Sequence, residues 1–175
     1  MVPDAPINLG NLVAITLDDR IGLSWDDGLS NGGTSIIDYQ VYFDDGLGTG
    51  VFIELASALT ERKYTASGLY SGLLYTFRIK ARNSVGYSDL SAPITILAAQ
   101  VPDMPLQPTT EISDKFNVKI LWSAPYTGGT SITGYKILIR TADVSVYALS
   151  EECNGLDLTI LANTQCTVAI TTLKA

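Results

Sequence analysis

The sequence predicts an all-β protein made of two β-sandwiches in tandem. Three observations carry the prediction. Apolar residues alternate with period two in the strongest segments. Turn signals such as "DDG", "NGG", "SGL" and "TGG" interrupt the chain at short intervals, with no helical period between them. The first half of the chain is also repeated in the second.

The elements follow in order. Each copy opens on a proline-bearing segment, "VPDAPINL" and then "VPDMPLQP", which suits an edge strand that need not donate every ladder hydrogen bond. Next come Ile21, Leu23 and Trp25, alternating with Gly22 and Ser24; Val118, Ile120 and Trp122 repeat them. A glycine turn follows, Gly32-Gly33-Thr34-Ser35-Ile36 in the first copy and Gly128-Gly129-Thr130-Ser131-Ile132 in the second. It leads into Tyr39, Val41 and Phe43 on one face, matched by Tyr135, Ile137 and Ile139. Only the first copy continues to "YTFRIKARN", with Tyr75, Phe77, Ile79 and Ala81 inward and Thr76, Arg78, Lys80 and Arg82 outward. The repeat places the domains at residues 1–98 and 99–175, joined by a short linker from about Ala98 to Pro102.

Trp on the second strand, the Gly-Gly-x-Ser-Ile turn into a Tyr-bearing strand, and "GLYSGLLYTFRIKARNSVGYSDLS" together resemble the fibronectin type III domain over essentially the whole chain. The resemblance implies an immunoglobulin-like sandwich, with strands A, B and E facing C, C′, F and G. It also implies that Tyr75, following Leu69, forms a tyrosine corner whose ring is buried and whose hydroxyl bonds backbone. Trp25, Tyr39, Tyr75, Trp122 and Tyr135 are the expected core markers. Each Trp buries roughly 150 to 250 Å².

The second copy departs from this pattern. Aligning Leu69 with Leu173 implies about eight residues inserted before strand E, and residues 70–97 then have only Lys174 and Ala175 as counterparts. Strands F and G are therefore expected to be missing. Their loss would uncover Tyr135, Ile137, Ile139 and Trp122. At ~25 cal/mol per Å², several hundred Å² of exposed apolar surface costs on the order of 10 kcal/mol. Either the source polypeptide continues with an F-like strand, or a neighbouring chain donates one by strand complementation.

Composition narrows the function. The net charge is −7, with both halves acidic, so the chain lacks the clustered Lys and Arg that nucleic acid or anionic membrane would require. No apolar run approaches the ~20 residues that cross a bilayer, and the opening residues lack the basic and apolar regions of a signal peptide. There is no His, which removes the commonest general base and the commonest metal ligand. No catalytic, metal or cofactor site is expected.

The remaining candidates are few. Cys153 and Cys166, the only cysteines, bracket the insertion. A disulfide there would contribute ~3 kcal/mol by loop closure and would fit an oxidising compartment; the alternative is two reduced thiols in a cytosolic protein. The acidic pairs Asp18-Asp19, Asp26-Asp27 and Asp44-Asp45 could gather calcium, but such residues are also the ordinary material of turns. The stripe Arg78, Lys80 and Arg82 could bind an acidic ligand or be compensated across the ladder by Asp38. Tyr42, Tyr70, Tyr87 and Tyr126 could stack on sugars.

The expected function is therefore non-enzymatic. The chain reads as a structural or adhesive repeat of an extracellular or cell-surface protein, in a fibre or filament, with neighbouring repeats or subunits as its protein partners. The alternatives are accessory spacers of a secreted carbohydrate-active enzyme and an intracellular scaffold.

Overall fold

The computed structural model describes residues 1–140 and 146–173. The chain divides into two compact units, Met1–Gln100 with Gly128–Thr130, and Val101–Thr127 with Ser131–Ala175.

Unit 1 contains seven strands: β1 (Ile7–Asn11), β2 (Arg20–Asp26), β3 (Asp38–Phe43), β4 (Ile53–Leu59), β5 (Lys63–Ser67), β6 (Leu74–Arg82) and β7 (Ile94–Leu97). They form two antiparallel sheets, β1-β2-β5 and β4-β3-β6-β7. Alternation fixes which side chains meet between the sheets. Ile21, Leu23 and Trp25 from β2 pack with Tyr39, Val41 and Phe43 from β3 and with Tyr75, Phe77 and Ile79 from β6. Each fully buried large side chain contributes ~1.5–3 kcal/mol, so this cluster is the main source of the unit's stability. The ring of Tyr75 is 2% exposed, and its hydroxyl accepts a hydrogen bond from the Tyr70 backbone N–H at 2.9 Å. Gly46, at φ +72°, lies against that ring, where a Cβ would come within 2.9 Å of the Tyr75 Cε1. Both repeated glycine pairs adopt positive φ, from 72° to 98°, as the turn into the third strand requires.

Unit 2 contains β8 (Thr109–Ile112), β9 (Asn117–Leu121), β10 (Leu138–Arg140), β11 (Tyr147–Leu149), a 3-10 turn (Glu151–Cys153), α1 (Leu158–Asn163), β12 (Gln165–Ala169) and α2 (Ile170–Leu173). Its sheets are β12-β9-β8 and the two-stranded β10-β11. Among the described residues β10 pairs only with β11, whereas β3 of unit 1 pairs on both sides, with β4 and β6.

Two expectations need correction. The strand before α2 ends at Ala169, and Leu173 lies in a helical turn. Register shows the true correspondence: Val168 pairs with Val118 as Ala66 pairs with Ile21, so the insertion is about six residues rather than eight. Short helical segments also occur inside the insertion and after it. α1 starts where the Asp157 carboxylate accepts hydrogen bonds from the backbone N–H groups of Thr159 and Ile160, at 2.8 and 3.2 Å. A six-residue helix is too short to write a period into sequence. Lys174 and Ala175 lie outside the described residues.

Candidate functional site

In unit 1 the outer face of the β4-β3-β6-β7 sheet carries the concentration of charge. Strand alternation brings Arg78, Lys80 and Arg82 to one side of β6, and each cation lies over an aromatic ring. The Arg78 guanidinium is 5.3 Å from the Phe52 centroid, the Lys80 ammonium 5.7 Å from that of Tyr42, and the Arg82 guanidinium 5.3 Å from that of Tyr87. Cations over π faces are attracted by the ring quadrupole, by ~0.5–1 kcal/mol at exposed positions. The predicted pairing of Asp38 occurs with Arg82, its direct cross-strand neighbour. Arg82 Nε donates to Asp38 Oδ1 at 2.9 Å and its terminal nitrogen donates to Oδ2, a bidentate contact. Asp38 was expected on the solvent side, yet it is only 5% exposed. A buried carboxylate needs a close cation, and the hydrogen bonds that Arg82 donates to Asp38 in turn raise the Arg82 pKa above its ordinary value.

The rest of this face is polar and internally bonded. Gln40 Nε2 donates to Glu54 at 3.0 Å, and the Tyr42 hydroxyl donates to Gln40 Oε1 at 3.1 Å. Burial, and then the nearby charge of Glu54, raises the Tyr42 pKa. The result is a flat mosaic of rings, cations and amides. It can take part in stacking and hydrogen-bonded contact with a protein surface.

The other predicted residues are dispersed. Tyr70 is exposed and serves through its backbone N–H, while Tyr126 is half-exposed in unit 2. The acidic pairs do not converge. Asp19 pairs with Arg20 at 2.7 Å, which lowers its pKa. Asp26 accepts from Asn8 Nδ2 at 2.9 Å, and Asp27 accepts from the Tyr39 hydroxyl and from Arg62. Asp44 is buried and accepts from the backbone N–H groups of Gly46 and Thr76. These carboxylates cap turns and join strands, as the turn reading supposes. Among the described residues no three of His, Cys, Asp or Glu are grouped so as to hold a metal ion.

Sequence reasoning missed three buried polar residues. Asn83, 2% exposed, donates through Nδ2 to the Asn31 carbonyl at 2.8 Å and accepts through Oδ1 from the Val85 and Gly86 N–H groups. It thereby ties the turn before β3 to the turn after β6. The hydroxyls of Ser88 and Ser91 accept from the Ala81 and Ile79 N–H groups, at 3.0 and 2.9 Å. They stand in for strand carbonyls where the chain runs beside β6. The only available signal was an Asn and two Ser beside the strongest strand.

The expected core residues of unit 1, Trp25, Tyr39 and Tyr75, are 3%, 4% and 2% exposed. A seven-stranded sandwich with this sheet order and this tyrosine contact is the decisive geometry, and the fibronectin type III domain family matches residues 5–97. The chain belongs to the fibronectin type III family. Among curated relatives, it is 29% identical over 123 residues to a Kelch domain-containing protein of Saccharolobus solfataricus, covering 70% of this chain and 16% of that protein. It is 28% identical over 138 residues to fibronectin type III domain-containing protein 1 of Margaritifera margaritifera, covering 78% of this chain and 18% of that one. The chain thus spans under a fifth of the length of either relative. Domains A168–A170 of titin superpose with a TM-score of 0.51 at 28% identity, over 55% of this chain and 32% of that one. Fibronectin type III domains are in general non-catalytic modules.

In unit 2 the counterparts Trp122 and Tyr135 are half-buried. An apolar cavity of about 360 Å³ opens beside them, lined by Leu106, Ile120, Trp122, Tyr135 and Ile137. The physical reason is the second edge of β10, which no described strand covers. The insertion supplies part of the cover. Cys153 and Cys166 are joined as a disulfide with Cα atoms 5.4 Å apart, and with Val168 they form a small buried cluster. Ile120, Trp122, Ile137, Ile139, Ile160 and Leu173 pack around that cluster.

Proposed function

We propose that the chain is a tandem of two fibronectin type III modules acting as a non-catalytic structural or adhesive segment of an extracellular or cell-surface protein. One observation carries the tandem reading. Trp25 meets Tyr39 at 5.5 Å between centroids and 69° between planes, and Trp122 meets Tyr135 at 5.3 Å and the same angle. Two separate pairs holding one geometry support two copies of one architecture; among the described residues no strand pairs with β10 as β6 pairs with β3. The role is mechanical and adhesive: antiparallel ladders resist separation, and partners meet sheet faces and strand edges.

The uncovered edge of β10 supports a more specific contact, an added antiparallel strand with the apolar alternation of β6. A synthetic peptide spanning Gly72 to Asn83, added to the intact chain, is expected to bind saturably and to slow amide exchange at Lys136 and Leu138. Absence of that protection would end the strand-addition reading.

The buried disulfide supports the extracellular placement. Alkylation of the protein at lysis from its native source, followed by non-reducing peptide mapping, should recover Cys153 and Cys166 linked. Recovery of both as alkylated thiols would place the protein in a reducing compartment and favour an intracellular scaffold.

A further inference from the structure

We propose that the Cys153–Cys166 disulfide is a redox clasp, whose reduction frees the segment from Glu151 to Thr164 and opens the apolar core of unit 2. The inference concerns the folded chain itself and goes beyond the module's proposed role.

Three observations lead to it. First, the bond joins two different parts of the unit, the 3-10 turn within the insertion and the second residue of β12. Second, it is the insertion's buried anchor. Cys153 and Cys166 are 2% and 4% exposed, whereas Leu156 and Leu158 are 71% and 80% exposed and Ile160 is only half-buried. Further ties include the packing of Ile160 on this cluster and hydrogen bonds from the Tyr135 N–H to the Gly155 carbonyl at 3.1 Å, from the Trp122 N–H to the Thr164 carbonyl at 3.0 Å, and from the Ala169 N–H to the Glu152 carboxylate at 2.9 Å. Third, unit 1 crosses the equivalent gap, from β4 to β5, with only Thr60–Arg62, while unit 2 uses Ser150–Thr164. The longer connection loses more entropy on ordering and gains more from a covalent link. The segment forms one wall of a solvent-open cleft of about 700 Å³, whose other wall includes Tyr135 and Ile137. Release of the segment removes that wall and exposes Tyr135 and Ile137 further.

The chemistry needs a dithiol reductant. One of its thiolates attacks a cystine sulfur, the S–S bond breaks, and the departing sulfur takes a proton. The second thiolate then attacks the mixed disulfide and leaves as the cyclic oxidised dithiol. Two electrons have passed to the protein, which now carries two thiols. Because both sulfurs are buried, attack waits for the insertion to open. Reduction and loosening of unit 2 are thus one event.

The test uses the intact 175-residue chain with and without dithiothreitol, followed by thiol titration and amide hydrogen exchange. The reduction rate is expected to level off at high dithiothreitol, when opening becomes limiting. In the reduced chain, protection at Gln165–Ala169 should fall at least tenfold while Leu74–Arg82 in unit 1 is unchanged, and binding of an apolar dye should rise. A Cys153→Val, Cys166→Val double variant keeps apolar volume without the link and should behave like the reduced chain. The clasp is overturned if β12 stays protected after full reduction, or if the double-valine chain is as protected as the oxidised one. Equal loss of protection in β6 would overturn the confinement of the effect to unit 2.

Discussion

The Trp25 indole stands edge-on to the Tyr39 ring, 5.5 Å between centroids, with Trp25 3% exposed; Trp122 holds the same attitude to Tyr135 while half-buried. One contact is therefore set in two environments, and fluorescence separates them. Trp122→Phe leaves Trp25 as the reporter, and Trp25→Phe leaves Trp122. The first variant should emit at shorter wavelength and be quenched less by iodide than the second. Truncation to Ala should cost about 3–5 kcal/mol at Trp25 and less at Trp122, where part of the ring already meets water. Equal emission and equal quenching would mean that unit 2 buries its Trp as completely as unit 1.

The tyrosine corner gives a second expectation. Tyr75→Phe keeps the ring but leaves the Tyr70 backbone N–H, now bonded at 2.9 Å, without its acceptor. Unit 1 should lose about 1–3 kcal/mol, read by denaturant unfolding with Trp25 as probe. No loss would show that water replaces the hydroxyl at no cost.

Tyr39 predicts a dependence on alkaline pH. Burial first, and then its hydrogen bond to Asp27, push its pKa above the ordinary value near 10. A group whose folded pKa is raised contributes stability that is fully present below its unfolded pKa and lost as pH rises above it. Unit 1 should thus weaken progressively above pH ~10. Tyr39→Phe should shallow that decline, and should cost about 1–2 kcal/mol at neutral pH through the lost bond to a charged acceptor. Absorbance of tyrosinate at alkaline pH checks the order: Tyr39 should ionise among the last.

Ala58 offers a gain. It sits at φ +56°, where β4 bulges between its pairings with Tyr39 and Val41. A left-handed non-glycine residue costs ~1–2 kcal/mol, and glycine's extra backbone entropy offsets ~0.5–1 of the relief. Ala58→Gly should stabilise unit 1 by about 0.5–1 kcal/mol. A lower melting temperature would show that the Ala58 methyl makes a contact worth more than the strain.

How much of this was legible in the sequence can be judged residue by residue. The inward sets of β2, β3 and β6 were readable because a sheet buried on one face writes its alternation directly into the chain. The length of the insertion was not, since Leu173 resembles Leu69 in type, and only the pairing of Val168 with Val118 fixes the register. The stripe Arg78, Lys80 and Arg82 was visible, but its rings were not: Phe52 and Tyr87 reach it from other segments. Asn83 gave no signal, because its role depends on the Asn31 carbonyl, 52 residues away in sequence.

By itself the sequence determined the all-β class, the repeated Trp and Tyr positions, and the absence of His, because period and composition are local properties. The tertiary structure decided what is buried and what is paired. Asp38 lies buried against Arg82, Trp122 remains half in water, and Cys153 meets Cys166 beneath the insertion. Each of these depends on which distant segment folds against it, and the free energy of a polar or apolar group is set by that neighbour.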